Sequence, residues 1–463
     1  MELTLAALLA CTLAIFAWIG LRAGADQGSL DDYITARNSQ SALTLTLSFV
    51  ASGLGAWILF VPPEIGAFVG PVGLAGYALA AALPFLILVW FGPAIRQRMP
   101  HGRSLAEFAE ERFGPLMRYW LTGLSLLYML CFITAELTAL SAIAGLTGKL
   151  PGHWVMGAVT LTTLVYTSWG GLRASMATDR LQGWLILGLI VAVCVSIAWT
   201  TQDLQTPLAA PPSIPLAPGL GVAITLIIAV TAANLFHQGY WQRIWSARDD
   251  SALKTGSLWA AIITVIIIAV IGGLGMLTVM LGKDPGQPPA PFFVLIGGTS
   301  PWLAAIVMVL ATALVASSVD SLQNALASLL LTFRHQTGTT TIRQARWLTV
   351  LLMIPVFLVA LEGISVLRIF LVADLLCATA VIPVLLGFWK RMTPLSAMTG
   401  CIAGLIGAVV PGWIETGDWM TGLLLASFPN NTPTLGPFAG ALLGSSIATL
   451  LVAYGSSPAK RAH

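Results

Sequence analysis

Charge is the scarcest property of this chain. Only 9% of its 463 residues are charged, against 57% that are hydrophobic. Soluble domains carry about 25% Asp, Glu, Lys and Arg, so a water-exposed globule is excluded. A net charge of +3 gives no basic surface of the kind nucleic acid requires. Cysteine is scarce too. Cys11, Cys131, Cys194, Cys377 and Cys401 all sit in apolar stretches, without the spacing of a metal cluster or a disulfide framework. No GxSxG elbow, HExxH helix or Walker loop is present, so an enzyme is not expected. Met1-Glu2-Leu3-Thr4 lacks the positive region of a secretory signal, and Leu8-Leu9-Ala10-Cys11 is only faintly like a lipoprotein cleavage box.

What fills the chain is apolar runs. About 20 apolar residues cross the hydrocarbon core as a helix. Thirteen such runs are centred near residues 12, 55, 84, 131, 161, 190, 229, 269, 316, 352, 377, 404 and 445. Nineteen of the 22 basic residues then fall in alternate loops, from Arg22 and Arg37 to Lys460 and Arg461. The opposite loops hold only Lys149 and Lys283, and Arg368 lies in or near a span. By the positive-inside rule, the N-terminus is expected outside and the C-terminus in the cytoplasm of a plasma (bacterial inner) membrane.

Spans two to six and seven to eleven are each five helices long. An odd number places the second set in the opposite orientation, the condition for an inverted-topology repeat. The expected divisions are 1–40 (first helix and loop), 41–206 (repeat one), 207–390 (repeat two) and 391–463 (two peripheral helices and a tail). The Pro-rich loop from Pro207 to Pro218 separates the repeats. The charged loop Arg96 to Arg118 predicts an amphipathic surface helix with Leu105, Phe108 and Phe113 on its apolar side. Gly436, Gly440 and Gly444 read as close helix packing.

In such a plan the first helix of each repeat is broken near mid-membrane. Span two meets this with Ala51-Ser52-Gly53-Leu54-Gly55-Ala56, and span seven with Asn234-Leu235-Phe236-His237-Gln238-Gly239. Unwound backbone survives in lipid only where it is buried or lines a cavity, so both stretches, with Trp57, are candidate substrate-binding places. Close helix packing is the plain alternative for Gly53 and Gly55.

Span nine carries Ser317, Ser318, Asp320, Ser321, Asn324 and Ser328. Residues 317, 321, 324 and 328 share one helix face, which must meet other helices or water. Its hydroxyls are hard oxygen ligands suited to an alkali cation, though serine also bonds its own helix. Glu136 and Asp374 are acids at membrane depth, functional candidates by default. A protonated, hydrogen-bonded carboxyl is the plain alternative for Glu136, and a pair with Arg368 for Asp374. Asp179 reads on its own as a surface ion pair with Arg180. His237 titrates near neutrality or simply lines the interior.

Several stretches resemble the sodium/solute symporter family, which includes proline and sugar symporters. Asp32-Tyr33-Ile34-Thr35-Ala36-Arg37 resembles its DYFLAGR box. Gly170-Gly171-Leu172-Arg173-Ala174 with Thr178-Asp179-Arg180-Leu181-Gln182 is similar to GGLxA…TDxxQ. Ser317-Ser318-Val319-Asp320-Ser321 is similar to ST-x-DS, and Gln242-Arg243 to the end of NQxxxQR. The resemblance implies an all-α polytopic protein with a LeuT-type 5+5 core and Na+ as coupling ion. Its sodium site would use the carbonyls of Ala51, Leu54 and Leu314 with the hydroxyls of Ser317 and Ser318, and Asp179 would lie on the ion-exit path. Two positions depart from the family pattern. Gly53 stands where proline symporters carry aspartate, and His237-Gln238 replaces Asn-Gln. Trp57-Ile58-Leu59-Phe60-Val61-Pro62-Pro63, with the segments at 92–96 and 106–114, looks more like the urea-transporting branch.

The reading is therefore a sodium-coupled symporter of a small polar solute (amino acid, urea, sugar or carboxylate), embedded in membrane lipid and binding no nucleic acid. The substrate set is Ser52, Gly53, Trp57, Glu136, His237 and Gln238. A proton-coupled or uncoupled carrier on the same fold, and a solute-sensing membrane module, stay open as alternatives.

Overall fold

The computed structural model describes residues 2–25, 29–148, 150–201, 208–297, 301–334, 342–422 and 434–456. Lys149, Pro207, Lys460 and Arg461 lie outside the described residues. Among the described residues the regular structure is helical, with one isolated bridge between Gln40 and Ala247. The helices are α1 (Glu2–Ala23), α2 (Leu30–Thr35), α3 (Ala42–Gly53), α4 (Val61–Phe68), α5 (Pro71–Arg98), α6 (Leu105–Phe113), α7 (Pro115–Gly148), α8 (Gly152–Thr201) and α9 (Leu216–Asn234). They continue as α10 (Gln238–Ser246), α11 (Asp250–Met280), α12 (Pro291–Ile296), α13 (Pro301–Arg334), α14 (Ile342–Leu361), α15 (Val366–Ala378), α16 (Val381–Leu385), α17 (Pro394–Thr416) and α18 (Leu435–Gly455). A 3-10 turn, Ala56–Leu59, joins α3 to α4.

Among the described residues nine helices are long and apolar enough to cross a bilayer, or up to eleven spans if each of two bent pairs is one span. One pair is Ala42–Gly53 with Ala56–Phe68, bent by 61°, and the other is Val366–Ala378 with Val381–Phe388, bent by 55°. Helix length alone does not give the expected thirteen. That number needs α8 counted twice and the shorter apolar helix Arg346–Leu361 included. The break in α8 is Gly171, whose φ of 53° and ψ of −144° are not helical. A Cβ there would lie 2.4 Å from the Tyr33 carbonyl oxygen, so only glycine lets α2 lie this close. Arg173 pins the same junction by an ion pair to Asp32 at 2.7 Å.

Burial separates centre from rim. The apolar window of α13 is 72% buried, whereas that of α18 is 22%. Trp154, Trp199 and Trp302, near helix ends, are exposed, as in the aromatic belts of membrane proteins. The glycine pattern of α18 is packing: a Cβ on Gly440 would stand 2.0 Å from the Gly407 carbonyl oxygen of α17. The charged loop does form a helix, α6, capped by Ser104. Its apolar side meets protein instead of lipid, since Phe108 packs against Phe91, Trp241 and Phe388. Beside it Asp31 accepts two hydrogen bonds from Arg37, both 2.8 Å, and one from Arg103. The Arg37 guanidinium holds the Asp31 carboxyl below its ordinary value.

Gly171→Ala forces a side chain into a glycine-only conformation, a strain of about 1–3 kcal/mol. The apparent unfolding temperature of the detergent-purified protein is expected to fall, whereas Gly123→Ala, with nothing near its Cβ, is expected to leave it unchanged.

Candidate functional site

The two predicted breaks meet in the middle of the molecule. A Cβ on Gly53 would lie 2.5 Å from the Tyr240 hydroxyl, so the end of α3 touches α10 just past the second break. The breaks differ in how their backbone is satisfied. At the second, Trp241 Nε1 donates to the Leu235 carbonyl at 2.8 Å and Ser125 Oγ to that of Phe236 at 2.6 Å. The His237 carbonyl accepts from Tyr240 N at 2.9 Å. The protein closes this break by itself.

At the first break the Val50 carbonyl accepts from Leu54 N at 3.0 Å and the Gly55 carbonyl from Ile58 N at 3.2 Å. Among the described residues none donates a hydrogen bond to the carbonyls of Ala51, Ser52, Gly53 or Leu54. All four residues are buried. Buried carbonyls are paired in the great majority of cases, so four in a row at a helix C-terminus mark a place with negative partial charge and nothing to neutralise it. The amide side of the same break is served. Glu136 Oε2 accepts from Ala56 N at 2.8 Å, and a Cβ on Gly55 would collide with that carboxyl at 2.0 Å. Glu136 thus has a partner distant in sequence, the start of the 3-10 turn.

Helix α13 packs against α3 and the turn, and its polar stripe faces protein. Ser317 Oγ donates to Asp179 Oδ1 at 2.6 Å. Ser318 Oγ is buried with no hydrogen-bond partner. Ser321 accepts from Arg243 Nη2 at 3.0 Å, Asn324 donates to Gln242 at 3.4 Å, and Ser328 meets Gln238 at 3.4 Å. Asp320 is held by Tyr166, Ser175 and Thr178.

Asp179 is no surface residue. It and Arg243 are wholly buried and paired at 2.9 Å. Ser48 of α3 donates to Asp179 and accepts from Arg243 Nε at 2.9 Å. Arg243, grouped with the basic loops on sequence, is an interior cation that ties α3, α8, α10 and α13 together. The signal missed was its partner's distance along the chain.

Of the six predicted substrate residues, Gly53 and Trp57 line a cavity of about 40 Å³. Tyr77, Tyr128, Phe132, Asn234, Phe370 and Asp374 are among its other walls. Ser52 donates to the Ser48 carbonyl. His237 is stacked on Tyr240, with ring centroids 4.3 Å apart. Gln238 points elsewhere, bonding Leu105 N and the Arg103 carbonyl. Arg368 and Asp374 form no ion pair with each other. The aromatic walls escaped sequence reading because they lie among apolar residues. A second, larger cavity of about 950 Å³ opens on the face opposite the arginine-rich loops and shares Val61 and Leu367 with the small one.

This architecture defines a LeuT-like integral membrane transporter. A Na+-coupled sialic acid symporter, solved in a substrate-bound outward-open state, superposes over 98% of both chains with a TM-score of 0.74 at 17% identity. Mhp1, a nucleobase-cation-symport-1 family transporter in a closed conformation, superposes over 93% of this chain and 96% of its own with a TM-score of 0.57 at 12% identity. At such identities the likeness is one of fold. No protein-family model matches the chain. The spermidine transporter DUR31 of Candida albicans is 30% identical over 402 residues, 83% of this chain and 75% of that protein. The chain belongs to the same family as this transporter, and its relatives are carriers, not enzymes.

Cutting the buried ion pair on one side strands a charge. Arg243→Met is expected to cost about 3–5 kcal/mol, read as a large drop in apparent unfolding temperature. Arg243→Met with Asp179→Leu is expected to recover most of it. Equal losses in the single and double variants would contradict the pairing.

Proposed function

We propose that the chain couples Na+ entry to uptake of a small polar organic solute by alternating access. The observation that carries this reading is the row of unpaired carbonyls, Ala51 to Leu54, on α3, together with the unpartnered Ser318 hydroxyl on α13, a helix that packs against α3. A small cation needs hard oxygens to replace its hydration shell, and these are what the first break offers. Ser317 supports the reading as well. Because its proton goes to Asp179, its lone pairs stay free to face a cation. With the Leu314 carbonyl of the same helix, these groups form the proposed sodium set, and Asp179 beneath them is the proposed exit step.

Sodium would then bridge α3 and α13 and favour the arrangement that admits solute through the larger cavity. In this reading that cavity faces outside, the arginine-rich loops face the cytoplasm of a bacterial inner membrane, and residues 41–206 and 207–390 are the inverted repeats. One Na+ entering at 100 mV contributes about 2.3 kcal/mol, roughly fifty-fold accumulation before any sodium gradient. The carriers named among the relatives move sialic acid or spermidine or hold a hydantoin, all small and polar. Gly53 and Trp57 are the proposed substrate contacts; Glu136, through Ala56 N, and His237, through Tyr240, back them, whereas the side chains of Ser52 and Gln238 are engaged elsewhere.

Sodium-driven uptake into proteoliposomes is expected to disappear in Ser318→Ala and in the pair Ser317→Ala with Ser318→Ala. Uptake that keeps its sodium dependence in both would sink this mechanism.

A further inference from the structure

Helix α8 carries a buried amide with neither end engaged. Gln182 is wholly buried, and among the described residues neither its Oε1 nor its Nε2 has a hydrogen-bond partner. The other buried amides differ. Gln238 bonds Leu105 N and the Arg103 carbonyl, Gln242 bonds the Ile34 carbonyl and Asn324, and Gln323 accepts from Thr167. An unmet buried amide is costly. A proton cannot relieve it, as it can a carboxyl; a hydrogen-bonding or coordinating neighbour can.

The register of the helices says which neighbour. Three segments start or end at the arginine-rich face. The second half of α8 begins at Gly171 against Tyr33, α3 follows Arg37, and the end of α13 is held by Arg118 on the Thr332 carbonyl at 3.0 Å. Helices α8 and α13 run antiparallel. Ser175 Oγ meets Ser321 Oγ at 3.1 Å, and Asp179 accepts from Ser317 at 2.6 Å. Four residues up one helix thus match four residues down the other. The next turn of α8 brings Gln182 and Gly183, and the next turn of α13 brings Leu314 and Ala313. Helix α3 closes the third side. Ser48 donates to Asp179, Ala51 lies one turn further along α3, and a Cβ on Gly183 would stand 3.1 Å from the Leu47 side chain. One turn beyond Asp179, three helices therefore bring Ala51, Leu314 and Gln182 to one level. The carbonyls of Ala51 and Leu314 already stand in the proposed sodium set.

We infer that Gln182 supplies a side-chain carbonyl to the cation held between α3 and α13, which makes α8 a third wall of that site. The inference rests on the sodium reading above and adds a residue to it. An amide oxygen is hard and neutral, like the hydroxyls and backbone carbonyls of the set. The charge of Asp179, one turn away, is already met by Arg243. Neutral carbonyl oxygens of this kind replace the hydration shell of an alkali ion in selective pores.

Two measurements on the purified full chain test this, 22Na+ binding and the apparent unfolding temperature in potassium buffer. Gln182→Leu nearly keeps the side-chain volume and removes the amide. It is expected to weaken sodium binding at least roughly ten-fold. In potassium it is expected to unfold at the wild-type temperature or above, because no hydrogen bond is lost. Gln182→Glu keeps an oxygen in place and adds charge, and is expected to bind sodium at least as tightly as wild type. Saturable wild-type binding that Gln182→Leu leaves unchanged overturns the inference and leaves the sodium reading standing. A lowered unfolding temperature in potassium also overturns it, since that marks an amide serving the fold. Absence of saturable binding in wild type overturns both. Should Gln182→Leu fail to fold, Gln182→Glu decides, and sodium binding weaker than wild type overturns the inference.

Discussion

Inside a bilayer no water is at hand to satisfy a released carbonyl or amide, so every interruption of a helix must find its partner within the protein or in a ligand. That constraint organises this molecule. The break at 235–237 is closed by Trp241, Ser125 and Tyr240. The amide end of the first break is closed by Glu136. Left open are four carbonyls on α3 and, on the adjacent α13, the Ser318 hydroxyl. Ser318 is one of several buried groups without a hydrogen-bond partner, which also include Trp57 Nε1, Glu136 Oε1 and both His237 ring nitrogens. The proposed ion chemistry is read from the carbonyls and Ser318.

The same logic applies to charge. Asp179 and Arg243 neutralise each other, and Ser48, Ser317 and Ser321 use up their remaining hydrogen-bonding capacity. Such a pair is a poor source of net stability, yet it fixes where four helices stand relative to the first break. Asp374 is the contrasting case, an acid left open towards a cavity. Satisfied and unsatisfied groups therefore sort the interior into scaffold and candidate site.

Much of this was legible in the sequence. The apolar runs, both broken segments and the polar stripe of α13 follow from composition and helical period, because lipid tolerates few alternatives. The glycines of α18 read correctly as packing for the same reason. Partners remote along the chain were not legible: Glu136 with Ala56 is 80 residues apart, and Arg243 with Asp179 is 64. Nor was the aromatic chamber, since Tyr77, Phe132 and Phe370 in apolar helices look like ordinary core. Gln238 looked like a lining residue because it follows the break, but one helical turn aims it at α6.

The most direct measurement is equilibrium binding of 22Na+ to the purified protein. A saturable component displaced by unlabelled sodium but not potassium, and absent in Ser318→Ala, is the predicted result. No saturable component, or one unchanged in Ser318→Ala, would contradict an ion held between α3 and α13.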